Sequence, residues 1–170
     1  MLIRANALHQ LRFGQLMEVY REGNLENGAE FWPSLPQPQQ LLHAEQEFYA
    51  YLQQVFFAVS GACYYVWEED GRYVSALRVE PYRDGLLLQA LETLPSLRRC
   101  GYAAKLISAV QQRHADEKIY SHVGKRNTAS LAVHTRCGFQ RISEMAVYLD
   151  GSANDRCCTL LWQSRTDKER

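Results

Sequence analysis

No charge of either sign dominates this chain. Among its 170 residues, 19 Lys and Arg stand against 19 Asp and Glu, so the formal net charge is zero. Nucleic-acid binders and proteins that dock on anionic membranes normally carry a basic surplus, so neither partner is expected. No apolar run approaches the roughly 20 residues that a bilayer-crossing helix needs. The opening Met1-Leu-Ile-Arg-Ala-Asn also lacks the apolar stretch and small-residue cleavage site of a secretory signal. Cysteine is sparse and unpatterned, with five residues at 63, 100, 137, 157 and 158 and no C-x-x-C pair. An odd, scattered set fits reduced thiols in a cytoplasmic protein better than a disulfide framework or a zinc site. The histidines at 9, 43, 114, 122 and 134 show no H-x-x-x-H spacing, so no metal is expected. Neither a G-x-S-x-G elbow nor a Walker lysine loop occurs, and there is no internal repeat. With 46% hydrophobic and 22% charged residues, the chain has the mixture of one domain able to bury a sizeable core. One domain over 1–170 is expected, helical over 1–60 and built on a sheet over 62–162.

Periodicity supplies the elements. Phe13, Leu16, Met17 and Tyr20 share one helical face, as do Leu41, Ala44, Phe48, Leu52, Val55 and Val59. Between the two patterns, the glycines and asparagines of 23–28 and the three prolines of 32–40 are expected to interrupt helix. After Gly61 the period changes. Residues 62–67 and 72–79 are rich in aromatic and β-branched side chains, with Asp70-Gly71 as a hairpin turn between them. Residues 86–94 form a third strand. A helix over 101–114, a strand over 118–123 and a helix over 127–137 follow, the last stopped by Gly138. Strands over 141–149 and 156–162 close the chain. A helix between two strands implies a parallel pair, so the expected fold is α/β: a mixed, mostly antiparallel sheet of about six to seven strands with helices on both faces.

The chemically informative segment is Leu91-Glu-Thr-Leu-Pro-Ser-Leu-Arg-Arg-Cys-Gly-Tyr-Ala-Ala-Lys-Leu-Ile107. A strand ends at Pro95, two arginines follow, and Gly101 with Ala103 and Ala104 opens a helix. Unpaired N–H groups and the positive end of the dipole make a helix start an anion site, and small residues let a phosphate approach the backbone. The same turn also suits an ordinary helix start with exposed arginines.

Arg98-x-x-Gly101-x-Ala103 resembles the Arg/Gln-x-x-Gly-x-Gly/Ala turn of the GNAT superfamily of acetyl-CoA-dependent N-acetyltransferases. One strand downstream, Asn127-Thr-Ala-Ser-Leu-Ala-Val-His-Thr-Arg-Cys-Gly-Phe139 is similar to that family's Asn-x-x-Ala/Ser…Tyr-x-x-x-Gly-Phe helix. The resemblance is specific over 85–140, topological over 62–162 and faint before residue 60. It implies that the strands at 86–94 and 118–123 splay, with acetyl-CoA in the opening. Leu91 and Thr93 would pair with its pantetheine arm. The amides of Arg99, Cys100, Gly101, Tyr102, Ala103 and Ala104, beside Arg98, would hold the pyrophosphate, and Asn127 and Ser130 would brace or contact the arm. Asn127 also suits a helix N-cap.

The resemblance further implies direct attack of an amine on the thioester, with a base for the ammonium and an acid for the thiolate. His134 stands where the family usually has a tyrosine acid; it is either that acid or a packed histidine. Glu92, flanked by apolar Leu91 and Leu94, is the candidate base, since partial burial raises a carboxylate pKa; a solvated strand position is the alternative. Cys100 as a nucleophile lacks a partnered histidine. The expected acceptor is a small-molecule amine, met by residues 7–60 and 149–156, where Glu30, Glu45 and Glu47 supply negative charge. A homodimer is common in such folds. The competing function is a module of the same shape that binds acyl-CoA with little or no turnover.

Overall fold

The computed structural model describes residues 1–164; the last six residues of the expected 1–170 domain lie outside it. A seven-stranded sheet carries the molecule: β1 (Leu2–Ala5), β2 (Cys63–Glu69), β3 (Arg72–Tyr82), β4 (Gly85–Thr93), β5 (Lys118–Gly124), β6 (Gln140–Ser143) and β9 (Cys157–Trp162). Their order across the sheet is β1-β2-β3-β4-β5-β9-β6, and β4–β5 is the parallel pair. Two two-residue strands, β7 (Ala146–Val147) and β8 (Ala153–Asn154), form a separate small ladder. Helices α1 (Phe13–Val19), α2 (Arg21–Phe31) and α3 (Gln37–Tyr51) precede the β2–β3 hairpin. Helix α4 (Tyr102–Arg113) follows β4, and α5 (Thr128–Arg136) follows β5.

The β2–β3 hairpin closes where expected. Asp70 and Gly71 take φ of 48° and 75°, the left-handed pair that a two-residue turn between twisted strands requires. Each face of the sheet buries its own apolar cluster. On one, Leu16, Met17, Leu52 and Phe56 pack on Tyr64, Val66, Val74 and Ala76. On the other, Leu106, Ile107 and Val110 of α4 pack on Tyr65, Leu77, Leu88 and Ile119. Strands covered on both sides read as near-continuous apolar runs, which is why 62–94 is so dense in large side chains.

Four local readings are corrected. β1 gave no sequence signal, being a four-residue edge strand. Residues 23–28 do not interrupt helix but lie inside α2. Gly28 is there because α3 passes so close that a Cβ would lie 2.7 Å from the Gln40 carbonyl oxygen. The proline stretch does interrupt helix, over 32–36 between α2 and α3, but Pro36 and Pro38 also start α3, where a missing N–H costs nothing. Finally, the strand expected over 141–149 is two pieces, parted where the Ser143 hydroxyl accepts the Met145 amide and competes with the ladder.

The long helix also ends differently. A π-helical turn at Leu52–Phe56, with the Phe57 amide bonded to the Leu52 carbonyl at 3.0 Å, inserts one residue. The apolar stripe therefore shifts: Phe56 is fully buried, while Val55 and Val59, expected on the core face, are 53% and 38% exposed.

Candidate active site

β4 is where the sheet opens. Its parallel register with β5 runs from Gly85/Lys118 to Leu88/Ser121 and stops. Four residues of β4, Gln89 to Glu92, then lie opposite three of β3, Arg78 to Ala76, so β4 bulges. Ala90 in the bulge has φ 52°, uncommon for a side chain with a Cβ, and its carbonyl accepts the Tyr20 hydroxyl at 2.6 Å. Beyond Leu88 the β5-facing edge of β4 is therefore free of strand partners.

The opening is a cleft of about 800 Å³. Leu91, Glu92 and Thr93 line it from β4, and Arg98, Arg99, Gly101, Tyr102, Ala103 and Ala104 from the turn into α4. Asn127 and Ser130 line it from the start of α5. The sequence candidates thus converge, except for Cys100 and His134, which are not among the lining residues.

The turn has the physical character of an anion cradle. Gly101 is the N-cap of α4 in the left-handed region, φ 85°, with no side-chain cap, and space beyond its Cα is open. The first intrahelical bond there runs from the Lys105 amide to the Gly101 carbonyl, so by helix geometry the preceding amides lack partners in the ladder. Arg99 also has positive φ, 64°, and successive amides in such alternating conformations face one concavity.

Arg98 is more committed than the sequence suggested. Its guanidinium pairs with Glu22 of α2 at 2.6 Å and reaches Glu92 at 3.7 Å. Glu92 is half-buried, and burial raises its carboxyl pKa; Arg98 opposes that rise, while Glu22 and Glu26 add to it. Asn127 caps α5, its side-chain oxygen accepting the Ser130 amide at 3.0 Å while also facing the cleft. Both of its expected roles are geometrically compatible.

His134 is withdrawn from the cleft rather than set in it. It is 1% exposed, on the sheet side of α5. Its Nδ1 donates to the Ser130 carbonyl at 2.8 Å, which leaves Nε2 to accept from the Ser121 hydroxyl at 3.0 Å. Burial lowers its pKa, partly offset by the Ser130 bond. Both nitrogens of the imidazole are thus satisfied inside the fold.

Sequence reasoning missed Leu97 and the cleft face of α5. Ala129, Ala132, Val133 and Arg136 line the cleft at helical i, i+3, i+4, i+7 spacing. The signal for it in the sequence is that period of three small apolar residues and one cation. Glu30, Glu45 and Glu47 are not among the cleft residues; the carboxylates there are Glu92 and, through Arg98, Glu22. Among the described residues, no group of three His, Cys, Asp or Glu could hold a metal ion, and no helix is long and apolar enough to cross a membrane.

The family model of the acetyltransferase (GNAT) family matches residues 25–139, more than half of the chain, so the protein belongs to that family of acyltransferases. No curated protein matches the sequence. Among solved structures, an acetyltransferase from Corynebacterium glutamicum, described as histone acetyltransferase HPA2 and related, superposes with a TM-score of 0.69 at 16% identity, covering 96% of each chain. The PaiA N-acetyltransferase of Thermoplasma acidophilum, solved with coenzyme A, gives 0.66 at 10% identity, covering 96% of this chain and 99% of that one. The ribosomal-protein-S18-alanine N-acetyltransferase of Escherichia coli gives 0.56 at 15% identity, over 95% and 92%. At such identities the likeness is one of fold.

Proposed function

We propose that this protein transfers an acetyl group from acetyl-CoA to the primary amine of a small molecule by direct attack. The observation that carries the reading is the cleft itself. The open edge of β4, the uncapped start of α4 and a half-buried carboxylate all meet in one volume. About 800 Å³ is within the usual range for a small-ligand site. The residues present fit the co-substrate. Amides from Arg99 to Ala104 hold the pyrophosphate, Leu91 and Thr93 present main-chain groups to the pantetheine arm, and Asn127 and Ser130 close the far side. Acetyl-CoA supplies an activated thioester; the chain's own residues do the rest.

Glu92 accepts the proton of the attacking ammonium, its raised pKa bringing it nearer the range in which a base is effective. An amide of the β4 bulge faces the developing oxyanion. His134 holds α5 to β5, and the leaving thiolate takes its proton from water. Five unpaired cysteines suit the cytoplasm as the setting. The withdrawal of His134 favours one second reading, a domain that holds acyl-CoA without turnover.

Thermal unfolding with acetyl-CoA, free CoA and ATP tests binding. Ligand at 100 times its Kd stabilises by about 2.7 kcal/mol, which at about 2–4 °C per kcal/mol raises Tm by several degrees. The rise is expected with both CoA species and not with ATP, and Gly101→Glu, which places a carboxylate where the pyrophosphate sits, abolishes it. No rise at millimolar acetyl-CoA would refute the cleft assignment. A rise without thiol release from any amine would establish the non-catalytic reading.

A further inference from the structure

Among the described residues, three buried side-chain polar atoms have no hydrogen-bond partner: Tyr64 Oη, Arg78 Nε and His122 Nε2. They sit on β2, β3 and β5, on the same face of the sheet. Arg78 shares the parity of Val74 and Ala76, which pack beneath the N-terminal helices, and of Tyr82. His122 meets the Tyr82 ring edge-on on that side, with centroids 5.5 Å apart. The register places Tyr64 directly opposite Arg78, and Arg78 opposite Gln89, one residue before the β4 bulge. Unsatisfied groups are rare inside folded proteins, so three on one face beside an opening in the sheet single out this region.

Arg78 is the charged member of the three. It is largely enclosed, yet no carboxylate pairs with it among the described residues. Glu80, two positions along the same face, is 6% exposed and accepts a bond from the Gln89 amide group instead. The guanidinium lies over the rings of Tyr51, 4.8 Å away, and Phe56, 5.5 Å away. Aromatic faces and the Tyr64 hydroxyl hold the cation in place, and no anion answers its charge. Tyr64, fully buried opposite it, turns its hydroxyl toward Arg78 and Tyr20 and supports the cation from inside the fold.

Arg78 is not among the residues that line the cleft, but it stands close to the β4 bulge beside it. The Tyr20 hydroxyl donates to Ala90 in the bulge, and both the Arg78 cation and the Glu92 carboxylate act on that hydroxyl, with opposite sign. Anchor and base therefore flank the same point of β4.

From this arrangement we infer that the acceptor is an α-amino-acid head group, its carboxylate held by Arg78 and its amine turned to Glu92. This rests on the acetyl-transfer reading above and adds the class of acceptor. A neutral or purely cationic amine would leave the Arg78 charge unanswered in a half-apolar box, which is costly.

The experiment is steady-state acetylation, read by thiol release, of the free amino acids, each beside its amide and its decarboxylated amine. The expected result is at least one amino acid preferred over its decarboxylated amine by about 100-fold or more in kcat/KM, as a site left with an unpaired charge rejects the truncated analogue. Arg78→Met, which fills the aromatic box without charge, should shrink that ratio to a few-fold, chiefly through the KM of the amino acid, while keeping the acetyl-CoA-induced rise in Tm. Arg78→Lys should restore part of the ratio. Equal or better turnover of decarboxylated amines by the wild-type protein overturns the inference. So does a preference unchanged in Arg78→Met, or no turnover of any amino acid by protein that binds acetyl-CoA. Failure to bind acetyl-CoA at all would instead remove the acetyl-transfer reading.

Discussion

Glu92 shows how much one position in the sequence can say. Its apolar neighbours on a strand were enough to suggest a desolvated carboxylate, and the fold half-buries it in the cleft with Arg98 beside it. As the base, it must be ionised to work. Because its pKa is raised, kcat/KM should climb with pH through that raised value and then level. Glu92→Gln should flatten the climb and lower kcat by about 10²–10⁴-fold. A pH–rate profile that keeps its acid limb in the variant would sink the assignment. His134 teaches the opposite lesson. Its place in the motif was plain, but whether an imidazole faces the cleft or the sheet depends on which partners it finds. The Ser130 carbonyl, one turn earlier in α5, fixes one nitrogen, and Ser121 on β5, outside its own element, settles which way the ring faces.

At the scale of elements, α1, α3 and α4 are legible as amphipathic periods because each buries one regular face, and the central strands as dense apolar runs because both of their faces are covered. α2 was missed because its apolar residues follow no stripe and because two glycines argued against it. The two glycines differ in physics. Gly28 is obligatory where α2 meets α3, whereas nothing lies within 4 Å of a Cβ at Gly23. Gly23→Ala should therefore stabilise by about 0.5–1 kcal/mol through helix propensity. Gly28→Ala should destabilise by about 1–3 kcal/mol, because the added methyl meets backbone and the helices must part. Chemical denaturation of both variants measures the contrast, and equal shifts would contradict the packing described. The π-turn at Leu52–Phe56 is a second such case: one inserted residue rotated the stripe, and a strict helical period could not anticipate it.

The whole molecule carries its acid sensitivity in two separate pH ranges. Burial lowers the pKa of His134 below the ordinary 6.5, and His122 shifts the same way. Below pH 6.5 the unfolded chain binds protons that the folded chain refuses, so stability falls as pH drops from there toward the lowered folded values. Asp84 acts lower down. Bonded to Lys118 and Tyr120, it is held at about 2 against an ordinary 3.8, so its contribution is present above 3.8 and is lost as pH falls toward 2. Equilibrium unfolding followed from pH 8 to 3 should show a first decline beginning near 6.5, weakened in His134→Gln. A later decline should be weakened in Asp84→Asn. A His134→Gln profile that matches wild type above pH 5 would show that the buried imidazole is not its source.

The sequence by itself determined the element order from 62 to 137, the hairpin at Asp70-Gly71, the parallel pair and the turn at 98–104, because each rests on local period, turn chemistry or a short motif. Only the tertiary structure decided the bulge at Ala90, the pairing of Arg98 with Glu22, the withdrawal of His134 and the unanswered Arg78 beside Tyr64. Those depend on which side chains meet across strands and helices far apart in the chain. A meeting of that kind is set by register and packing over the whole fold, and no window of sequence contains it.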